Sequence, residues 1–208
     1  MKDDFLKRYT NVPALIYLLT HSAITLLDPK SWDDKNDSYY LSVYKSEKSL
    51  KTVLALCFTQ TSERYHQWSV FAGGSSGVCI TFKRNKLIKA VDRVSGASCE
   101  SLKYITLKAM RRKDIPPEKL PFIKRYGFKD ECEFRIIYES KKSSLLTKDI
   151  QIPLSSIEKI TFSPWIPKAL ATSMKKTIRT INGCEKLEII RSTLVDNAEW
   201  KEFANNAA

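Results

Sequence analysis

The 208-residue chain predicts one α+β domain: a central, mostly antiparallel β core, split or in two sheets, flanked by short helices. Three observations lead there. Strand-like and helix-like segments occur in about equal measure without a sustained βαβ series. Hydrophobic residues make up 43% of the chain, with 9 Phe, 9 Tyr and 4 Trp, which is ample for a real core. The glycine fingerprints of dinucleotide and P-loop folds, GxGxxG and GxxxxGKS/T, are absent. The length suits a single domain of about 100–200 residues, expected over 1–195 with 196–208 as a C-terminal tail.

Each element has a local reason. Asn11 is an N-cap before a helix that carries Pro13 near its first turn and runs through Leu19. Ala23 to Leu27 is a strand stopped by Asp28-Pro29. Lys30 to Ser38 reads as a polar loop, Tyr39 to Tyr44 as extended and Ser46 to Lys51 as helical. Val53 to Thr59 is a strand. Ser62-Glu63 opens a short helix closed by Gly73-Gly74, and Gly77 to Phe82 is a strong strand. Asn85 to Val91 is a basic helix, Glu100 to Ala109 a strand, and Pro116-Pro117-Glu118 starts a helix ending near Gly127. Strands at 150–152, 158–162 and 187–190 and a helix over 167–181 complete the series.

The segment Glu131 to Tyr138 is the most informative. Cys132, Phe134, Ile136 and Tyr138 alternate with Glu131, Glu133 and Arg135, so a strand places two carboxylates and a guanidinium on one face. Neighbours on that face lie about 6.5–7 Å apart. Two readings stand: a solvated face on which Arg135 relieves two acids, or a site built on paired carboxylates.

Other chemistries find little support. The five cysteines form no CxxC pair, which excludes a zinc ribbon and a disulfide framework. His21 and His66 form no HxH or HxxxH, and Asp33, Asp34 and Asp37 lack the glycine and closing glutamate of an EF-hand, so no metal is expected. No apolar run approaches the roughly 20 residues that span a bilayer, and no signal peptide is visible. A cytoplasmic protein is expected. The net charge of +12 is concentrated: residues 83–125 contribute +9. Lys83, Arg84, Arg111, Arg112 and Lys113 are the candidate phosphate or nucleic-acid patch, against a plain solubilising surface.

Four blocks in order resemble the bacterial domain of unknown function number 2971. Leu6-Lys7-Arg8-Tyr9-Thr10 is similar to its opening LYKYR. Trp32-Asp33-Asp34-Lys35-Asn36-Asp37 stands in the place of FNDPFD. Cys57-Phe58-Thr59, Trp68 to Ala72 and Gly77 to Phe82 are similar to SFS, MWSHYA and GVCIGF. Lys124, Phe128 and Glu131 to Arg135 resemble a lysine followed by W-x-x-E-x-E-x-R. The chain departs from the pattern at Asp33, Lys35, Gln67 and Val70-Phe71.

An early Arg, a hydroxyl at a strand end and a late E-x-E strand are also the order of the ADP-ribosyltransferase superfamily. That more distant resemblance implies an ADP-ribosyltransferase-like fold and NAD as substrate. Glu133 would be catalytic, stabilising a cation-like ribose, and Glu131 would activate the acceptor. Arg8 would hold the diphosphate; its alternative is a surface pair with Asp33 or Asp34. Thr59 would secure the site, and Tyr9, Trp68 or Phe71 would stack on nicotinamide, although Trp68 and Phe71 also have core spacing. Arg135 and Lys124 would orient the carboxylates. The resemblance implies a nucleic-acid or protein acceptor, a toxin or phage-defence role and an antitoxin or system partner. Competing readings are a non-catalytic nucleic-acid-binding module on segment 83–125, and a nuclease-like hydrolase built on Asp33, Asp34, Glu131 and Lys124.

Overall fold

The structure is a computed structural model that describes residues 4–112 and 114–206. Strand β1 (Phe5–Asn11) leads into α1 (Val12–His21) and β2 (Ala23–Leu27). Then come α2 (Lys35–Glu47), β3 (Thr52–Thr59), α3 (Tyr65–Phe71), β4 (Gly77–Lys83) and α4 (Arg84–Val91). The middle of the chain forms β5 (Ala97–Ser101), β6 (Lys103–Ile105), α5 (Leu107–Met110), β7 (Ile123–Arg125) and β8 (Glu133–Ser140). It ends with β9 (Thr147–Gln151), β10 (Ile157–Phe162), α6 (Lys168–Ile178), β11 (Glu188–Arg191) and α7 (Ala198–Asn205). The architecture is α+β, with a mostly antiparallel nine-stranded sheet and a separate two-stranded parallel pair, β6–β7.

β3 organises the sheet. One of its edges pairs with β8 from Thr52↔Ser140 to Thr59↔Glu133. The other is shared: β1 meets it only at Lys7↔Thr59, and β2 only at Leu27↔Ala55. A gap therefore opens between β1 and the middle of β3, beside Cys57.

The two faces of the sheet differ. Leu6, Leu56, Phe58, Ile80, Phe82, Phe134 and Ile136 point to one face, where they pack with α1, α4 and α6 in the main core. On the opposite face Val53, Ala55 and Ile137 pack beneath Leu41 and Tyr44 of α2. Farther along, Tyr9 and Cys79 pack beneath Trp68 of α3 and Ala72 just after it. Between these two apolar clusters the same face turns polar.

Several expectations need correction. Residues 39–44 are helical, not extended, because Asp34 caps α2 by accepting from the amides of Asn36 and Asp37. Asp37, Leu41 and Tyr44 then share one buried helical stripe. The segment after Pro116 is not one helix: a 3-10 turn over Pro117–Phe122 gives way to β7 and a second turn over Tyr126–Glu131. Residues 100–109 contain two short strands and the start of α5. β8 begins at Glu133, since Cys132 takes a left-handed conformation with φ 43°. The tail is helical over Ala198–Asn205, with Trp200 and Phe203 exposed.

Candidate active site

A cavity of about 800 Å³ occupies the polar stretch between the two clusters. Its floor is the sheet. Cys57 stands opposite Arg135 and Thr59 opposite Glu133, and directly opposed residues in an antiparallel pair share a face. The ionic site thus continues the stripe that is Val53, Ala55 and Ile137 at its other end. Arg135 is 0% exposed and Glu133 5%, which rules out a solvated face for this part of the strand.

Burial at that level requires pairing, and four of the five N–H donors of Arg135 find acceptors. Its Nε donates to Glu133 Oε1 at 2.8 Å, while both terminal nitrogens grip Asp37, at 2.9 Å to Oδ1 and 2.6 Å to Oδ2. One of those nitrogens also donates to the Pro121 carbonyl, and the Trp32 ring lies 4.9 Å from the guanidinium. Asp37 reaches this point because it sits one turn before Leu41 on the buried stripe of α2.

Lys124, on β7, closes the cluster from the other side. Its Nζ lies 2.6 Å from Glu131 Oε2, 3.1 Å from Glu133 Oε2 and 3.7 Å from Asp37 Oδ2. Tyr104 anchors the backbone by accepting from the Glu133 amide. Glu131 arrives through the 3-10 turn and the left-handed Cys132, not through strand alternation. Three carboxylates therefore surround two cations. Burial pushes the Glu133 carboxyl upward, but Arg135 and Lys124 outweigh it and hold it below its ordinary value. For Asp37 and Glu131 burial wins, and both are raised despite Arg135 and Lys124 respectively. Burial also raises the Cys57 thiol, reinforced by Glu133, so Cys57 stays a neutral thiol.

The other wall is differently built. Arg8 belongs to the opposite strand face from Lys7 and Tyr9, yet it lines this cavity as well as a smaller one of about 370 Å³. The gap between β1 and β3 lets its guanidinium donate to the Cys57 carbonyl at 3.3 Å. Among the described residues Arg8 forms no ion pair, so the alternative pairing with Asp33 or Asp34 is not what the structure shows. Both aspartates line the cavity, as do Lys124 and Glu131.

The predicted site residues are distributed as follows. Glu133, Glu131, Arg8, Tyr9, Thr59, Phe71 and Lys124 all line the cavity, and Arg135 lies directly behind Glu133. Thr59 donates to the Glu131 carbonyl at 2.6 Å. Phe71 is 46% exposed at the mouth. Trp68 needs correction as a stacking residue. It is 0% exposed, packs edge-on against Tyr9 with ring centroids 4.9 Å apart, and donates to Glu63; no ligand can reach its face.

The described residues of the candidate basic patch do not line the cavity. Lys83 pairs with Glu158 at 2.9 Å. Arg84 lies over the Phe134 ring and donates to Gln60. Both are engaged within the fold. Arg111 and Arg112 are exposed, and Lys113 lies outside the described residues.

Asp37, Trp32, Cys57 and Gln67 lie at the site but were not among the predicted site residues. Asp37 closes the block compared with FNDPFD, and its four- and seven-residue spacing from Leu41 and Tyr44 is the signal that places it on a buried helical stripe. No helix among the described residues is long and apolar enough to cross a membrane.

No family model and no curated protein matches the chain, so the resemblance to domain 2971 has no matching family behind it. Two similar solved structures are of DarT from Thermus sp. 2.9. The complex with carba-NAD+ is 10% identical, covers 92% of this chain and 97% of that one, and has a TM-score of 0.45. The complex with NAD+ is 11% identical, covers 92% and 96%, and has a TM-score of 0.46. At such values this chain is similar to DarT in broad outline, and no residue role follows from the likeness.

Proposed function

We propose that the chain is an NAD-using enzyme of the ADP-ribosyltransferase type, with Glu133 at the reacting ribose. The observation that carries this reading is the buried Glu133 carboxylate, held ionised by Arg135 and Lys124 on the floor of a cavity large enough for a nucleotide. Fixed negative charge in a site sheltered from water stabilises a cation-like ribose without reorganising at the moment of reaction.

In the proposed step the bond from ribose C1′ to the nicotinamide nitrogen breaks, and nicotinamide leaves neutral with the bonding pair. Positive charge spreads over C1′ and the ring oxygen. Arg135 and Lys124 each occupy one position on a different oxygen of Glu133, which leaves lone pairs to accept a ribose hydroxyl. The acceptor attacks C1′, and its proton passes to Glu131, whose raised pKa suits a base. Arg8 meets the diphosphate, and Phe71 supplies an aromatic face at the mouth. Transfer to a nucleic acid or protein, and any toxin or defence role with its partner, rest on this activity.

The test is NAD+ consumption by the purified chain against its Glu133→Gln variant. Turnover in the wild type and its loss in the variant is the expected result. Equal behaviour of the two, with no turnover and no NAD+-dependent thermal shift, would remove Glu133 from any catalytic role.

A further inference from the structure

The C-terminal helix α7 has no partner within the described fold. Every residue of Ala198–Asn205 is exposed, Trp200 to 76% and Phe203 to 62%. The two aromatics are three positions apart and share one helical face. Leu194 and Val195, in the turn before the helix, are exposed as well. A lone helix of this length is marginal in water, and clustered apolar surface marks an interaction site.

The base of the helix is fixed. Ser192 is buried and donates to Glu63. The following turn is closed by hydrogen bonds from the Leu194 amide to Ser192 Oγ, from the Asp196 amide to the Thr193 carbonyl and from Asn197 Nδ2 to Thr193 Oγ1. α7 is therefore held out from the body instead of lying along it.

Charge narrows the choice of partner. Lys201 pairs with Asp196 at 2.6 Å, which leaves Glu199 and Glu202, beside the aromatic face, without a cation among the described residues. That disfavours a nucleic acid. α6 is the opposite case: it holds no acidic residue, and its Lys176 and the capping Arg179 are exposed and form no ion pair among the described residues. Leu170 of the same helix is 56% exposed. At 100° per residue, Lys176 and Arg179 flank Leu170 and Ser173 on the same rotational side as Glu199 and Glu202 flank the aromatics. Antiparallel packing of the two helices would bring opposite charges together and apolar surface against apolar surface. Because α7 is exposed throughout, it does not touch α6 of its own copy.

We propose that α7 docks antiparallel on α6 of a second copy of this chain, with Trp200 and Phe203 against Leu170 and with Glu199 and Glu202 facing Lys176 and Arg179. Exchange across a two-fold axis makes the contact twice and uses both faces of both copies. The inference does not depend on the NAD reading.

Sedimentation equilibrium of the full chain tests it. A reversible dimer is expected. Trp200→Ser with Phe203→Ser should weaken it about tenfold or more, the scale of losing interface aromatics. Glu199→Lys with Glu202→Lys should weaken it too, and adding Lys176→Glu with Arg179→Glu should restore it. The same reversal at Lys141 and Lys142 should not restore it. All the substituted positions are exposed, so the variants spare the fold. A chain that stays monomeric up to about 1 mM overturns the proposal, as does a dimer indifferent to the aromatic pair. Restoration by neither charge reversal, or equally by both, would place the contact away from α6 and overturn it as well.

Discussion

On the β8 side of the cavity, Arg135 has two carboxylates, a backbone carbonyl and an aromatic ring around it; across the floor, Arg8 has one carbonyl at 3.3 Å. Arg135 is fully buried and Arg8 partly so, and desolvation alone pulls both away from the charged form. At Arg135 the neighbouring carboxylates reverse that pull; at Arg8 burial prevails and the pKa is lowered. The difference separates two uses of the same side chain. A well-paired arginine fixes geometry before any ligand arrives. An under-paired one keeps its donors for a ligand, at a cost to the free protein.

Replacing one arginine at a time breaks the comparison most directly. Arg135→Met leaves Asp37 and Glu133 buried without their partner, and removing one member of a buried pair costs about 3–5 kcal/mol. Urea unfolding should show that loss, and a change under about 1 kcal/mol would mean the cluster is not a structural unit. Arg8→Ala should do the reverse: leave unfolding nearly unchanged while weakening NAD+ binding. Loss of charge-assisted bonds worth about 1.5–3 kcal/mol corresponds to about 10- to 100-fold in Kd. Calorimetry showing intact binding would remove Arg8 from the diphosphate.

The two glutamates sharpen the contrast through pH. Glu133 is held below its ordinary value of 4.5, so its ionised form, and the stability linked to it, persists above that value and is lost as pH falls through the lower folded value. Glu131 is raised above 4.5, so it takes up its proton earlier on acidification. If Glu131 serves only the acceptor, transfer should fail at a higher pH than simple NAD+ cleavage. Coincident acid limbs in the two rate profiles would show that the carboxylates do not divide the work this way.

The smallest effect is expected outside the site. Lys83 and Glu158 form a half-exposed pair, and such pairs contribute about 0–1 kcal/mol. Lys83→Ala should shift unfolding by less than about 1 kcal/mol and leave NAD+ turnover untouched. A large effect on turnover would return the basic segment to consideration as part of the site.

Part of the site could be read from the sequence where one element supplies it. Strand alternation puts Glu133 and Arg135 on one face, although alone it left a solvated face open beside a carboxylate site, and the Gly73-Gly74 stop agrees with the left-handed φ of both glycines. Contributions from distant segments were much harder to see. Asp37 resembles any loop aspartate until Arg135, from a strand 98 positions later in the chain, makes an inward carboxylate stable. Without that partner the stripe on α2 has only Leu41 and Tyr44, too little apolar signal to reveal a helix. Trp68 illustrates the opposite error: an aromatic near a site drew a binding role, whereas the 3.6-residue period favoured the core.

Asp37 and Arg135 are separated by 98 positions in the chain. Closing so long a loop carries an entropic cost that only non-local contacts can offset. The cluster should therefore assemble late, after β3 and β8 have paired, and a folding intermediate lacking that pairing would leave Glu133 unpositioned. An emerging chain would lack the cluster until both partners had left the ribosome, making an assembled cluster a report of nearly completed folding.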